Sequence, residues 1–201
     1  IAAAIKEFKD EELCIARKAD WDKIDNNLTF VGFFGLKDSL RPEAKQTIKI
    51  CRQAGIRPII ITGDHKLTAK AIALEIGLRA DNNNIITGEE LDKLSDGSLK
   101  RRMNRVDIFA RVSPHHKLRI IKILQSQGEV VAMTGDGIND APALKAADIG
   151  LSLGTGTDIA KESSDVVLLD NNFKTIVSAV EQGRIIYANI QKVMTFLISD
   201  S

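Results

Sequence analysis

Between residues 29 and 171 short apolar runs alternate with amphipathic stretches of helical period, a rhythm that few folds accept. Strands alternating with helices imply a parallel sheet, because parallel neighbours need a crossover connection and a helix provides it. The expected strands are residues 30–35, 58–62, 107–110, 130–134, 148–153 and 166–169. Between them, Pro42 opens a helix, Ala44, Ile48 and Cys51 share its face, and Gly55 closes it. Leu67, Ala71 and Leu74 repeat that spacing and Gly77 stops it. Ser113 followed by Pro114 reads as an N-cap with proline at the first helical position, and Gly128 is the matching stop. A hydrophobic content of 44% is enough for the core of such a sheet.

The flanks follow another pattern. Residues 1–28 are densely charged around the single Trp21 and are expected to end a neighbouring domain, with residues 29–171 as the α/β domain. From Asn172 to Ser201 one long helix is expected, striped by Phe173, Ile176, Val177 and Val180 and losing polarity toward its end. Its most apolar stretch, residues 193–198, falls short of the roughly 20 residues of a membrane-spanning helix. Lys6, Glu7, Lys9 and Asp10 follow a short apolar start, which is not the pattern of a signal peptide. A net charge of +1 gives no footprint for nucleic acid, and Lys100, Arg101, Arg102 and Arg105 are expected on a solvated helix face. Cys14 and Cys51 lack metal-site spacing and point to a reducing compartment without a disulfide framework.

The most chemical segment is Met133-Thr134-Gly135-Asp136-Gly137-Ile138-Asn139-Asp140-Ala141-Pro142, an apolar strand running into a glycine-flanked acidic turn and then a helix. The carboxyl edge of a parallel sheet is where ligands bind. There the glycines let the backbone approach closely, while Asp136 and Asp140 offer oxygen ligands suited to Mg²⁺. Thr62-Gly63-Asp64 likewise sits between a strand and a helix, as a phosphate cradle or as a plain cap. His115 and His116 are adjacent without a third ligand at metal spacing and are expected on the surface.

Thr134 to Lys145, TGDGINDAPALK, resembles the hinge motif of P-type ATPases, with Ile138 where valine is frequent. The stretch AADIGLSLGTGTDIAKESSDVVLL over residues 146–169 continues the likeness, which runs from Phe30 to Ser201. The resemblance implies an α/β fold with a haloacid-dehalogenase-like, Rossmann-type parallel sheet flanked by helices. It also implies a stalk helix over residues 172–201 leading to a membrane span. It gives Asp136 and Asp140 the Mg²⁺, and it directs Thr62, within Thr62-Gly63-Asp64, to the transferred phosphoryl group. Phe109-Ala110-Arg111-Val112-Ser113-Pro114-His115-His116-Lys117 resembles the family's FARVxPxxK segment, so Lys117 is implied at the phosphate and Arg111 at the nucleotide. Asn139 is implied in organising the site. Asp38 and Arg41 occupy the family's DPPR position, but Ser39 and Leu40 replace both prolines; nucleotide handling and helix capping both stand for them. Gly154-Thr155-Gly156-Thr157-Asp158 is expected to cap a helix starting near Ile159.

The family's phosphorylated aspartate, in an Asp-Lys-Thr-Gly motif, occurs nowhere in the 201 residues. The expected parallel sheet therefore lacks a central strand. The resemblance implies part of an ATP- and Mg²⁺-dependent cation pump, with calcium the first-choice ion, at the cytoplasmic face of the cell membrane. Its partners would be ATP, the transported cation and the other domains of the pump. The chain alone is expected to be inactive. A soluble phosphatase of the same superfamily and a noncatalytic regulatory module are the alternatives.

Overall fold

The computed structural model describes residues 1–7, 27–35 and 39–199. Trp21, Cys14 and Asp38 lie outside the described residues. The chain divides into two compact units, Ile1–Leu40 and Arg41–Ser201.

In the first unit, β1 (Ala2–Ile5) pairs antiparallel with β2 (Thr29–Phe33), with an irregularity between Ala3 and Ala4. The Phe30 and Phe33 rings meet edge-on, 5.1 Å apart. The run at residues 30–35 is therefore a strand, but not one of the parallel sheet expected from the sequence. Its partner is β1, drawn from the segment assigned there to another domain.

The second unit holds eight helices among its described residues: α1 (Ala44–Gln53), α2 (Lys66–Glu75), α3 (Gly88–Lys93), α4 (Asp96–Met103), α5 (Pro114–Gln125), α6 (Ala141–Ala146), α7 (Asp158–Glu162) and α8 (Lys174–Ser199). Its strands are β3 (Ile60–Ile61), β4 (Ile85–Thr87), β5 (Ile108–Ala110), β6 (Ala132–Gly135), β7 (Ile149–Leu153) and β8 (Val166–Leu168). They form two parallel three-stranded sheets, ordered β3-β5-β4 and β6-β7-β8. Among the described residues β3 and β6 do not pair with each other, so each is the edge of its own sheet.

One helix joins the two halves. Ile120, Ile123 and Leu124 of α5 pack into the core of the first sheet with Ile86, Leu91, Leu99, Met103 and Phe109. Ile121, on the same helix, packs into the core of the second with Met133, Ala143, Leu144 and Ala160. Val131 touches both cores. Each fully buried isoleucine contributes about 1.5–3 kcal/mol of burial free energy, so α5 is fixed from two sides. The glycine stops behave as read: Gly55, Gly77 and Gly128 all have φ near +80°, at +78°, +85° and +84°.

The stripe read on α2 is reversed. Leu67 and Leu74 are 70% and 58% exposed, whereas Ala69 and Ala73 are fully buried. The alanine face lets the helix backbone lie close to the sheet, and the leucines point outward. Cys51 on α1 is a half-buried free thiol whose pKa is pushed up by burial. The long helix α8 spans 26 residues, about 39 Å at 1.5 Å per residue. Its first turns are half-buried and the rest exposed. Among the described residues no helix is long and apolar enough to cross a membrane.

Candidate functional site

The carboxyl ends of β3 and β6 open onto one cleft of about 270 Å³. Ile61, Thr62 and Gly63 line it from one sheet, Thr134, Gly135, Asp136 and Asp140 from the other, and Lys117 from the first turn of α5. Leu153 and Phe173 complete the wall. Four residues expected at the site, Thr62, Lys117, Asp136 and Asp140, are thus brought together although 78 positions separate the first from the last.

Thr62 stays in register with β5, its N–H donating to the Phe109 carbonyl at 2.9 Å and its own carbonyl accepting from Val112 N–H at 3.1 Å. The Thr62 hydroxyl donates to Asp64 Oδ2 at 2.9 Å and accepts from Asp64 N–H at 3.1 Å. The turn folds on itself, and the cap of α2 is supplied instead by His65, whose Nδ1 accepts from Leu67 N–H at 3.2 Å. Neither Thr62 nor Asp64 is therefore the plain cap that the sequence allowed. The Asp64 carbonyl accepts from Arg111 N–H at 2.9 Å, and Arg111 has a left-handed φ of 54°. Arg111 is exposed and does not line the cleft.

After β6, residues Ile138–Asp140 form a 3₁₀ turn, and Asp140 is the cap position before α6. Asp140 is buried and ion-paired to Lys117, both side chains being less than 15% exposed. Its Oδ2 also accepts from Gly137 N–H at 3.3 Å. Asp136 and Asn139 are exposed; Asn139 does not line the cleft. The Asp136 carbonyl accepts from Thr157 N–H at 2.9 Å, and Thr157 in turn caps α7 through its hydroxyl, which accepts from Ala160 N–H at 3.3 Å. The segment read as a cap does that work and also steadies the acidic loop. No sequence signal separated those two roles.

Behind the cleft, the loop into α8 is tied down. Asn171 Oδ1 accepts from the Thr155 N–H at 3.0 Å, and the Asn171 carbonyl accepts from the Arg41 guanidinium. That guanidinium also lies 5.6 Å over the Phe173 ring. Arg41 is therefore engaged in holding the cleft wall. The pKa of Asp170 is lowered from its ordinary value, chiefly because its carboxylate accepts from the Thr175 hydroxyl and also from the Asn172 N–H.

His116 departs from the surface position expected for it: it is buried, and its Nε2 lies 2.8 Å from Asp92 Oδ1. Asp92 is 24 residues away in sequence, and no local pattern couples the two. The donor set of the cleft fits a hard divalent cation. Asp136 offers an exposed carboxylate that accepts no hydrogen bond among the described residues, beside Asp140, whose charge is already shared with Lys117.

The chain is 52% identical over 181 residues to a calcium-transporting ATPase of Bacillus cereus and 49% identical over 202 residues to one of Bacillus subtilis. These matches cover 90% and 100% of the chain. It is 46% identical over 186 residues to the endoplasmic reticulum calcium ATPase srcA of Aspergillus fumigatus. The chain spans about a fifth of the length of these relatives. Among solved structures, it is similar to a zinc-transporting PIB-type ATPase in an E2.Pi state, with TM-score 0.65 and 28% identity over 96% of this chain and 28% of that one. It is also similar to the catalytic domain of the CPx-ATPase CopB-B, with TM-score 0.56 and 28% identity over 74% of this chain and 49% of that one. The resemblance to P-type ATPases read from the motifs is thus met by relatives and by solved structures. A haloacid dehalogenase-like hydrolase model matches residues 3–148, and the chain belongs to that family.

Proposed function

We propose that the chain is the part of a P-type ATPase that surrounds, but does not contain, the phosphorylated aspartate. One observation carries this reading: Thr62, Asp136 and Asp140 from the ends of two separate parallel sheets, and Lys117 from α5, converge on a single cleft. An apolar strand ending in Asp-Lys-Thr-Gly, inserted between β3 and β6, would join the sheets and bring its aspartate into the cleft. Residues 1–28 are the end of a nucleotide-binding domain, residues 29–171 the phosphorylation domain, and residues 172–201 the stalk.

In the cleft the residues have distinct tasks. Asp136 would hold Mg²⁺, with Asp140 beside it, and the bound ion would supply positive charge against the phosphate oxygens. Lys117 bridges Asp140 and the transferred phosphoryl group, and its ammonium charge is placed where negative charge builds. Thr62 offers its hydroxyl to a phosphoryl oxygen once it turns away from Asp64. The Gly63 and Asp64 N–H groups belong to the same cradle. Asn139, at the rim, helps to organise the phosphoryl oxygens. Arg111, Asp38 and Arg41 handle nucleotide or shape the loops that do. The phosphate passes from ATP to an aspartate carried by another segment, and cation transport follows from making and losing that phosphate.

Calcium is the proposed cargo, supported by 46–52% identity to calcium-transporting ATPases against 28% to the zinc-transporting and CPx structures. The helix α8, exposed and increasingly apolar toward its end, points to a continuation into a membrane whose cytoplasmic face carries this domain. The test is Mg²⁺ with beryllium fluoride titrated into the protein under backbone NMR. Shifts concentrated at Thr62–Asp64, Lys117 and residues 136–140 are expected. Shifts absent there in a folded spectrum would mean that the missing strand is needed to build the site, and shifts concentrated elsewhere on the fold would overturn the assignment. Incubated with labelled ATP, the chain alone is expected to take up no acid-stable phosphate.

A further inference from the structure

Outside the cleft, at the start of α5, two imidazoles and a carboxylate meet. His116 Nε2 and His115 Nε2 lie 2.8 Å and 3.7 Å from the same atom, Asp92 Oδ1. One ligand atom from each residue fits within 4.8 Å of the others. The His116 side chain is 5% exposed, whereas those of His115 and Asp92 are 69% and 61% exposed, so the cluster is anchored on one side and open on the other.

We infer that Asp92, His115 and His116 form a binding site for a divalent transition metal of the zinc type. Two imidazole nitrogens and one carboxylate oxygen, with a water in the fourth position, make a tetrahedral zinc set. Mg²⁺ and Ca²⁺ prefer oxygen ligands alone, so this site and the cleft select different ions. A metal-bound imidazole normally donates its other N–H to a fixed acceptor. Ser113 Oγ, 2.8 Å from His115 Nδ1 and 2.9 Å from His116 Nδ1, would be that acceptor for both rings in the loaded site. A hydroxyl oxygen has two lone pairs and serves both.

Loading the site changes the helix start. Without metal, His116 Nδ1 accepts from Ser113 N–H at 3.1 Å, which leaves the ring proton on Nε2, donated to Asp92. When Nε2 takes a metal, that proton moves to Nδ1 and is donated to Ser113 Oγ. No proton is released from His116, but the Ser113 N–H loses its acceptor. The metal therefore competes with the cap of the turn that carries Lys117. Only the consequence for Lys117 rests on the function proposed above; the metal site itself does not.

Calorimetric titration of the protein with Zn²⁺, repeated in millimolar Mg²⁺, tests the site. One equivalent is expected to bind, unaffected by Mg²⁺, and His115→Ala and Asp92→Asn are each expected to weaken binding about tenfold or more. Both side chains are exposed, so neither change threatens folding. No Zn²⁺ uptake, or uptake unchanged in both variants, overturns the site. Amide exchange at Ser113 is expected to speed up with Zn²⁺ bound; unchanged exchange in a zinc-loaded protein overturns the tautomer shift.

Discussion

Gly135 and Gly137 stand two residues apart in one loop, and alanine at each is expected to give opposite results. A Cβ at Gly135 would fall 2.5 Å from Asp140 Cβ, 2.8 Å from its Cγ and 3.0 Å from its Oδ2. Nonbonded carbons rest at about 3.5 Å or more, so roughly 1 Å must be found. Asp140 has little freedom to supply it. Its Cβ is set by the backbone of the 3₁₀ turn, and its carboxylate is held by Lys117 and the Gly137 N–H. Displacing it gives up about 1 kcal/mol of hydrogen bonding. It also gives up part of the roughly 3 kcal/mol lost when a buried charge is stripped of its partner. Gly135→Ala is therefore expected to cost about 2–4 kcal/mol, by the sum of those two terms with partial relaxation. At Gly137 the nearest atom to a Cβ is Asp140 Oδ2 at 3.7 Å, and φ is −109°, which any residue adopts. Gly137→Ala is expected to be neutral or stabilising by up to about 1 kcal/mol, through the reduced freedom of the unfolded chain.

Urea unfolding of the parent and both variants reads this directly, provided the slopes agree and only the midpoints move. Equal midpoints for the two variants, or a Gly135→Ala midpoint indistinguishable from the parent, would refute the argument. Asp140 would then be seated by something other than the close backbone approach at Gly135.

The positions legible in the sequence rest on local signals. Thr62, Asp136 and Asp140 follow apolar strands, Lys117 follows a serine-proline helix start, and the glycine stops announce their own φ, so a window of ten residues contains each argument. What the sequence hid is set by partners far along the chain. The direction of β2 depends on β1, more than twenty residues earlier, and the burial of His116 depends on Asp92. The strand β4 is three residues long in an asparagine-rich turn and leaves almost no periodic trace. On α2 two faces were available, and spacing alone does not say that Ala69 and Ala73, rather than Leu67 and Leu74, would meet the sheet. Phe173 was legible as a helix-stripe residue but not as a cleft wall, because the cleft exists only once both sheets are placed.

Lys117→Met keeps the stem and removes the charge beside Asp140; it is expected to cost about 3 kcal/mol in urea unfolding, and adding Asp140→Asn should recover part of that loss. A Cβ at Gly150 would meet the Leu144 carbonyl oxygen at 2.6 Å and Ser164 Cα at 3.3 Å. Those are backbone atoms against a central strand, so Gly150→Ala is expected to cost about 1–3 kcal/mol, seen as a lower urea midpoint. Asp148 ties the start of β7 to the start of β6. Its pKa lies below the ordinary 3.8, chiefly because its carboxylate accepts from Val131 N–H, at 2.8 Å, and also from Gln125. A depressed folded-state pKa means that the bond stabilises fully above the unfolded value and is lost as pH falls through the folded one. Asn at this position resembles the protonated acid. Parent and Asp148→Asn are therefore expected to differ in urea midpoint at neutral pH and to converge only as the pH falls below the ordinary carboxylate range, through the depressed folded-state pKa. A gap that persists unchanged at low pH would mean that shape, not charge, makes Asp148 the clasp between β6 and β7.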